Sequence, residues 1–566
     1  MSQLDWIILI VTLLVIIGYG LWKGRSTHDL DGYLLANRSL PWGLVLLSIM
    51  GTQASAITFL SAPGQTYSDG MRFLQYYFGL PIAMVVIALF FVPVFRRLKV
   101  YTAYEYLEGR FDGKTRTLTS FLFLLQRGLS TGISVIAPSL ILSSLLGWNI
   151  YLTNLLMGGL LIIYTVSGGA KAVAYTQRLQ LIIIFTGIFL AAYMAVHLLP
   201  EGIGFKEALE VSGSAGKLNV ITTGFEKGNG FDWSDNYNLF SGIIGGFFLA
   251  LSYFGTDQSQ VGRYLTARSL KESRMGLLMN GIVKVPMQFL ILLVGALVFT
   301  FYQYNKAPVF FNASLAKQAE QTQYGDSLRH IEARYTILME ALPALQAEVR
   351  EQPKLRDSLH ITQQNMDRLR REYRSVMEKA VPGADTKDTN YVFIRFVVDH
   401  LPAGLVGLLI AIIFLASWGS IAAALNSLAS CSMVDVHKRI WKDKTSGENE
   451  YRLSRWYTLG WGVFSIIVAM FTYDLGNSLI EAVNVLGSLF YGVILGVFLV
   501  ALFMKKVRNG SIVFWSAIGA ELIILFIFTM IKLEYIKLGF LWLNPIGAFG
   551  VILFSWLGQR LSPHKA

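Results

Sequence analysis

Runs of about twenty apolar residues recur along this chain, and they leave few folds open. In hydrocarbon every backbone N–H and C=O must be satisfied inside the protein, so a spanning segment is a helix or a strand of a closed barrel. A barrel strand needs only about ten residues, and the runs here are longer, which selects helices. Thirteen stretches are read from the 566 residues, near 4–22, 40–66, 72–95, 115–146, 148–167, 172–198, 237–256, 275–303, 402–433, 454–474, 479–503, 511–531 and 538–558. Only Trp148 and Asn149 separate the fourth from the fifth. The expected fold class is an all-α polytopic membrane protein with about 13 transmembrane helices. A soluble domain carries about 25% charged residues, whereas this chain has 15%.

Charge placement sets the orientation. Lys23 with Arg25, Arg96, Arg97 and Lys99, the Arg263 to Arg274 loop, His437 to Arg439 with Lys442 and Lys444, and Lys505, Lys506 and Arg508 all fall on one side. The positive-inside rule makes that side cytoplasmic. The N-terminus is then outside and the C-terminus, Ser562 to Ala566, is in the cytoplasm of a multi-pass cell-membrane protein. The net charge of +12 therefore does not signal nucleic acid, and the basic loops lack the stacking aromatics that single strands require. The lone Cys431 excludes an intrachain disulfide framework and a multi-cysteine metal site. The first apolar run is too long, and lacks the cleavage site, for a signal peptide. The seven histidines are scattered, so no catalytic cluster points to an enzyme.

Two long loops fall outside. Residues 199–236 are rich in Gly and Asn. Residues 304–390 form a charged insert that divides the chain into a first membrane part, 1–303, and a second, 391–566. Within it Ile331, Tyr335, Leu338, Leu342 and Leu345, then Leu369, Tyr373 and Val376, recur at helical spacing and predict a helical hairpin. The competing reading is a solvated spacer with no part in transport.

Polar chemistry is concentrated in a few segments. The ninth, Gly404 to Ser427, has a second half rich in Gly, Ala, Ser and Asn. Small residues let backbones approach, and their oxygens at membrane depth suit a small hard cation such as sodium. The second segment carries Ser48, Gly51, Thr52, Gln53, Ser55 and Thr58 in its middle, where a helix break would expose carbonyls and need cover from protein or a cavity. The plainer alternative is a packed interface of small residues. The seventh has a similar interruption between Ser241 and Gln258. Such paired interruptions in two halves mark inverted-repeat transporters. Lys284 stands alone at depth in the eighth segment, where an ammonium is costly unless paired or hydrated; it orients a solute or braces the carbonyls near Pro286. Arg127 reads as a packing tether, Asn484 as a solute hydrogen-bonder or interhelical clasp, Glu481 as a hydrated outer-end group, and Asp257 and Asp435 as gating or capping groups.

These residues resemble the sodium:solute symporter family, which includes sodium/sugar, sodium/proline, sodium/iodide and sodium/monocarboxylate transporters. Four stretches carry the likeness: the second segment, Ser167 to Gln180, Tyr253 to Arg263, and Ala416 to Asp435. The resemblance covers nearly the whole chain except the insert. It implies a LeuT-like fold, a five-plus-five inverted repeat with the first, twelfth and thirteenth segments as extras. It also implies a sodium site formed by the carbonyls of Gly51, Ala54 and Ala416 and the hydroxyl of Ser420. The family usually has a second hydroxyl just before that serine, where this chain has Gly419; Ser417, a water or a shifted carbonyl would replace it, or the site is weaker. Many members carry an aspartate, linked to a further cation site, where this chain has Gln177, so one coupled ion is expected. Tyr253 resembles the inner gate of sugar-transporting members, and Lys284 is shared with them. Their pocket glutamate and glutamine correspond to Tyr77 and Thr58, while the Thr131 to Pro138 stretch is closer to the iodide and monocarboxylate branch.

The expectation is therefore a sodium-coupled importer of a small polar organic solute, sugar-like or a small organic anion, working by alternating access in the lipid bilayer. Gln53, Thr58, Tyr77, Tyr253, Lys284 and Asn484 are its candidate solute residues, and sodium is the coupling ion with no other cofactor. The rival reading is a membrane sensor that kept the transporter fold and binds solute without coupled transport.

Overall fold

The computed structural model describes residues 1–24, 29–226, 230–352, 354, 356–383, 386–440, 447–472 and 479–561. Arg25, Lys442, Lys444 and the terminal Ser562 to Ala566, used above for orientation, lie outside the described residues. Nine helices among the described residues are long and apolar enough to cross a membrane, and Trp42–Gln53, Ile150–Val166 and Ser241–Thr256 are shorter apolar helices. Thirteen crossings do not map onto these one to one, since Ala56–Leu98 runs as a single apolar stretch. The all-helical class holds, apart from a two-residue antiparallel ladder pairing Phe225–Glu226 with Gly230–Phe231.

The breaks position the site. The second segment divides into helices Trp42–Gln53 and Ala56–Asp69. Ala54 (φ −80°, ψ 81°) and Ser55 (φ −85°, ψ 170°) leave the helical region between them. The seventh divides at Asp257 (φ −76°, ψ 120°), between Gly246–Thr256 and Gln258–Leu265, and starts with a π turn at Ser241–Gly245. A third break lies within Ile150–His197, where Gly169 has φ 61° and ψ −176°. It separates what the sequence reads as the fifth and sixth segments.

Helix Leu405–Cys431 runs through the centre, with every residue from Leu409 to Cys431 buried. It packs against Ile150–His197, Gly113–Leu146 and both arms of the second segment. This is why its small polar residues face protein and not lipid. Contact between apolar helices gains nothing from lipid exclusion, so close packing and polar contacts must hold it.

In the insert, helices Gly325–Glu351 and Arg356–Ala380 pack on each other. They bury Ile331, Tyr335 and Leu342 on one and Leu369 and Tyr373 on the other. The insert is fastened to the second arm of the second segment. Asp388 accepts from Arg370 (3.0 Å), Arg374 (2.8 Å) and the Phe311 amide (2.8 Å). The Arg370 guanidinium lies 5.5 Å from the Tyr67 ring centre and 4.9 Å from that of Phe311. Burial alone would lower the Arg370 pKa, but the Asp388 charge beside it holds it above the ordinary guanidinium value. Ser61, in the same arm, donates to Asn390 Oδ1 at 2.6 Å.

Candidate functional site

The break in the second segment frees main-chain oxygens. The amide of Ala54 donates to Met50 O at 2.7 Å, and that of Ser55 turns back to Gln53 O at 3.0 Å. Among the described residues no backbone donor is left for the carbonyls of Gly51 and Ala54. A helix end leaves its last carbonyls in want of a partner, and a cation is one such partner. Across from the break, Ala416, Gly419 and Ser420 share a face of Leu405–Cys431, at the i, i+3 and i+4 spacing. Ser420 Oγ donates to Ser417 O at 3.0 Å, which leaves its own lone pairs for a ligand.

Gln177 joins the two walls. It accepts from Ser48 Oγ at 2.8 Å, and its Nε2 donates to Thr52 Oγ1 at 3.2 Å and Gly419 O at 3.0 Å. A Cβ on Gly51 would stand 3.0 Å from Gln177 Cβ and Cγ, so glycine permits this close approach.

Beside this wall lies a cavity of about 120 Å³. Thr52, Gln53, Ser55 and Thr58 around the break line it, as do Tyr77, Tyr253, Asn484 and Ser420. Five of the six solute candidates thus meet in one space that also touches the helix break and Ser420. Several buried polar atoms of the lining have no hydrogen-bond partner among the described residues: Gln53 Oε1, Gln126 Oε1, Arg127 Nε and Asn484 Nδ2. Buried polar groups in native proteins are nearly always satisfied, and each exception asks for a ligand or water.

Arg127 and Tyr491, both in the cavity lining, belong to a buried charged group. Arg127 pairs with Asp257 at the seventh-segment break, and Tyr491 OH lies 2.7 Å from Arg127 Nη2 and 2.6 Å from Asp257 Oδ2. Asp257 also caps Gln258–Leu265, accepting from Ser259 N at 2.7 Å and Ser259 Oγ at 2.6 Å. Tyr253 accepts from Gln260 Nε2 at 2.8 Å, and its ring centre is 5.3 Å from the Arg127 guanidinium. Elsewhere in the lining Tyr76 OH donates to Asn484 Oδ1 at 3.3 Å. Arg127 is thus both a tether, as its sequence context suggests, and part of the cavity wall. Asp435 is apart from this site, held by Thr102 (2.9 Å) and Arg116 (2.6 Å).

Lys284 does not line the cavity. It is fully buried, its Nζ has no hydrogen-bond partner among the described residues, and it sits 5.5 Å from the Tyr77 ring centre, with Tyr77 on the cavity side. Sequence reasoning passed over Tyr76, Gln126, Ser130, Ser134 and Tyr491, all in the lining. Gln126, Ser130 and Ser134 follow one another at i+4 and Tyr491 stands seven after Asn484; polar stripes of that period were the available signal.

The profile of the sodium:solute symporter family matches residues 33–326 and 372–519. The sodium/sialic acid symporter SiaT of Proteus mirabilis is 25% identical over 541 residues, covering 94% of this chain and 90% of that protein. The sodium/glucose cotransporter of Vibrio parahaemolyticus is 24% identical over 526 residues, covering 91% and 83%. The human sodium/iodide cotransporter is 31% identical over 304 residues, covering 53% and 45%. A solved structure of a Na+-coupled sialic acid symporter, substrate-bound and outward-open, superposes with a TM-score of 0.74 at 22% identity, covering 99% of this chain and 98% of that one.

Proposed function

The chain belongs to the sodium:solute symporter family, and from that premise we propose that it imports a small polar organic solute, sugar-like or a small organic anion, by alternating access. Sodium binds between the broken second segment and Leu405–Cys431, on the carbonyls of Gly51, Ala54 and Ala416 and the hydroxyl of Ser420. The solute binds in the adjoining cavity, held by Gln53, Thr58, Tyr77, Tyr253 and Asn484, with Lys284 acting from behind Tyr77. The basic loops are cytoplasmic, the N-terminus and the 304–390 insert are outside, and the C-terminus is inside.

One observation carries this reading: residues at the break and at Ser420 line the solute cavity as well as the ion wall. An ion that fixes Gly51 and Ala54 against Ser420 also fixes Thr52, Gln53 and Ser55 as solute contacts. Coupling of this kind is reciprocal, so sodium tightens solute binding by the factor by which solute tightens sodium binding. Release follows opening of the Arg127–Asp257–Tyr491 group and of Tyr253. One charge moving through 100 mV supplies about 2.3 kcal/mol and a tenfold sodium gradient about 1.4 kcal/mol. For a neutral solute these together sustain a gradient of several hundredfold, on the order of 3.7 kcal/mol at 1.4 per decade. The orphaned amide and guanidinium atoms of the lining favour a solute that both donates and accepts hydrogen bonds.

The test is uptake of a panel of sugars and small organic acids by proteoliposomes, with and without an inward sodium gradient. Accumulation that ignores sodium refutes symport. Solute binding with no uptake at all supports the sensor reading instead. Ser420→Ala is expected to raise the sodium concentration for half-maximal uptake, and an unchanged value removes Ser420 from the site.

A further inference from the structure

Helix Leu543–Leu561 carries a concave apolar face on the outside of the bundle. A groove of about 810 Å³ runs along it, lined on the helix by Ile546, Phe549, Leu553 and Trp556 and flanked by Ile244 and Met504. Phe549, Leu553 and Trp556 are exposed there, and in a bilayer they meet lipid. Trp542 closes one end, its ring centre 5.2 Å from that of Trp233, and Trp556 stands at the other. Indole rings gather at the two membrane interfaces. Trp556 comes fourteen positions after Trp542, about 21 Å of helix at 1.5 Å per residue, so the groove extends over most of the ~30 Å hydrocarbon core. None of its lining residues belongs to the solute cavity.

The end at Trp556 is basic. Lys505 and Lys506 follow Met504 directly. The Arg508 amide donates to Gln559 Oε1 at 3.4 Å, which brings the same loop against the last turn of Leu543–Leu561. The Arg560 guanidinium lies 4.0 Å from the Trp556 ring centre. Four exposed cationic side chains thus gather at the mouth of the groove. Carboxylates near the basic loops are engaged elsewhere: Glu108 with Arg116 and Arg439, Asp435 with Arg116, and Glu450 with Lys438. Asp112, which closely approaches Gly510, caps Gly113–Leu146 by accepting from the Thr115 amide at 2.8 Å. Among the described residues none of the four cations has a carboxylate partner.

We propose that this groove binds an anionic phospholipid of the leaflet on the basic-loop side, one acyl chain lying along Leu553 and Phe549 and the phosphate among Lys505, Lys506, Arg508 and Arg560. Charge and shape together select this occupant. A neutral lipid covers the apolar wall and leaves the cations unanswered. A soluble anion answers the cations and leaves the wall bare. A second copy of this chain, meeting this face across a two-fold axis, presents the same patch to itself and so sets like charges against one another. Clusters of Lys and Arg beside a membrane helix attract anionic headgroups, each residue adding about fivefold in affinity.

The experiment exposes the intact chain in detergent to equal amounts of phosphatidylglycerol and phosphatidylcholine with the same acyl chains, and counts retained lipid by native mass spectrometry. Thermal stabilisation by each lipid is titrated in parallel. Phosphatidylglycerol is expected to be retained in preference. Lys505→Gln, Lys506→Gln and Arg560→Gln together are expected to weaken it by on the order of a hundredfold, about fivefold per charge, and to leave phosphatidylcholine unchanged. Leu553→Trp fills the groove and is expected to weaken both lipids. If the triple variant does not fold, Arg560→Gln alone, at an exposed position, is expected to show its fivefold share. Equal retention of the two lipids by the wild type, or unchanged retention in these variants, overturns the proposal. Stabilisation by inorganic phosphate as strong as that by phosphatidylglycerol gives the cations to a soluble anion and overturns it as well. So does a dimer in detergent that Leu553→Trp dissociates, which gives the groove to a second copy.

Discussion

Replacing Asp257 by Asn removes one charge from the Arg127–Asp257–Tyr491 group, whose opening is proposed to release solute. The Asp257 side chain is wholly buried and that of Arg127 is 11% exposed. Two unit charges about 4 Å apart at an effective dielectric of about 20 attract by about 4 kcal/mol. Arg127 keeps the Tyr491 hydroxyl at 2.7 Å and the Tyr253 ring, and it opens onto the cavity, so part of the lost stabilisation is made up. The expected cost of Asp257→Asn is about 3 kcal/mol, at the low end for breaking a buried pair. Arg127→Met is expected to be milder, because Asp257 retains donors from Ser259 N, Ser259 Oγ and Tyr491 OH. With both charges gone, no uncompensated charge remains. The double variant is therefore expected to be more stable than the sum of the singles by about 2 kcal/mol. The assay is a double-mutant cycle by denaturing-detergent titration of the purified protein, with passive solute leak into liposomes read in parallel. Additivity within about 0.5 kcal/mol would show that the two charges do not support one another, and the reasoning fails. Leak that stays at the wild-type level in Asp257→Asn would refute the group's part in closure.

Lys284→Met is expected to raise the KM for solute more than the half-saturating sodium concentration, since Lys284 stands behind Tyr77 and not at the ion wall; the reverse order in paired uptake titrations defeats its solute role. Asp388→Asn strips Arg370 of its counter-charge, and breaking such a buried pair costs about 3–5 kcal/mol. The insert is then expected to become sensitive to protease in intact proteoliposomes while sodium still stabilises the membrane part, and an insert as resistant as wild type counters the view that Asp388 holds it down.

How much of this was legible in the sequence differs by residue. The break near Gly51 was legible, because Gly, Thr, Gln and Ser in mid-membrane are poor helix material unless a cavity covers them. The seventh-segment break was legible for the same reason, although its turning point is Asp257 and not the glycines before it. That Gly419 lacks a hydroxyl was plain. That the Gln180 side chain packs against Gly419 was not, because this depends on how closely two helices far apart in sequence approach. Lys284 was recognised as costly, but only the packing puts Tyr77 between it and the cavity. Arg127 was readable as a tether; its second duty depends on which side of Gly113–Leu146 meets open space, and composition is silent on that.

The contrast between Gln177 and an acid at the same position yields the sharpest test of how many ions are carried. Gln177 Nε2 donates to the Thr52 hydroxyl and the Gly419 carbonyl. Gln177→Glu keeps the shape and replaces those N–H groups with a charged oxygen. Thr52 cannot turn to donate without giving up its bond to Ser48 O at 2.8 Å, and the Gly419 carbonyl cannot donate at all. Oxygens then face one another in a buried place, which is unfavourable until a cation sits among them. Without sodium the variant is expected to be less stable than wild type by about 1–3 kcal/mol, the cost of unmet buried groups. With sodium it gains a second site, seen as a Hill coefficient above one and two charges moved per solute where wild type moves one with a neutral solute. A variant with wild-type stability in choline and a wild-type sodium curve would mean that the amide hydrogens of Gln177 are not what keeps a second cation out.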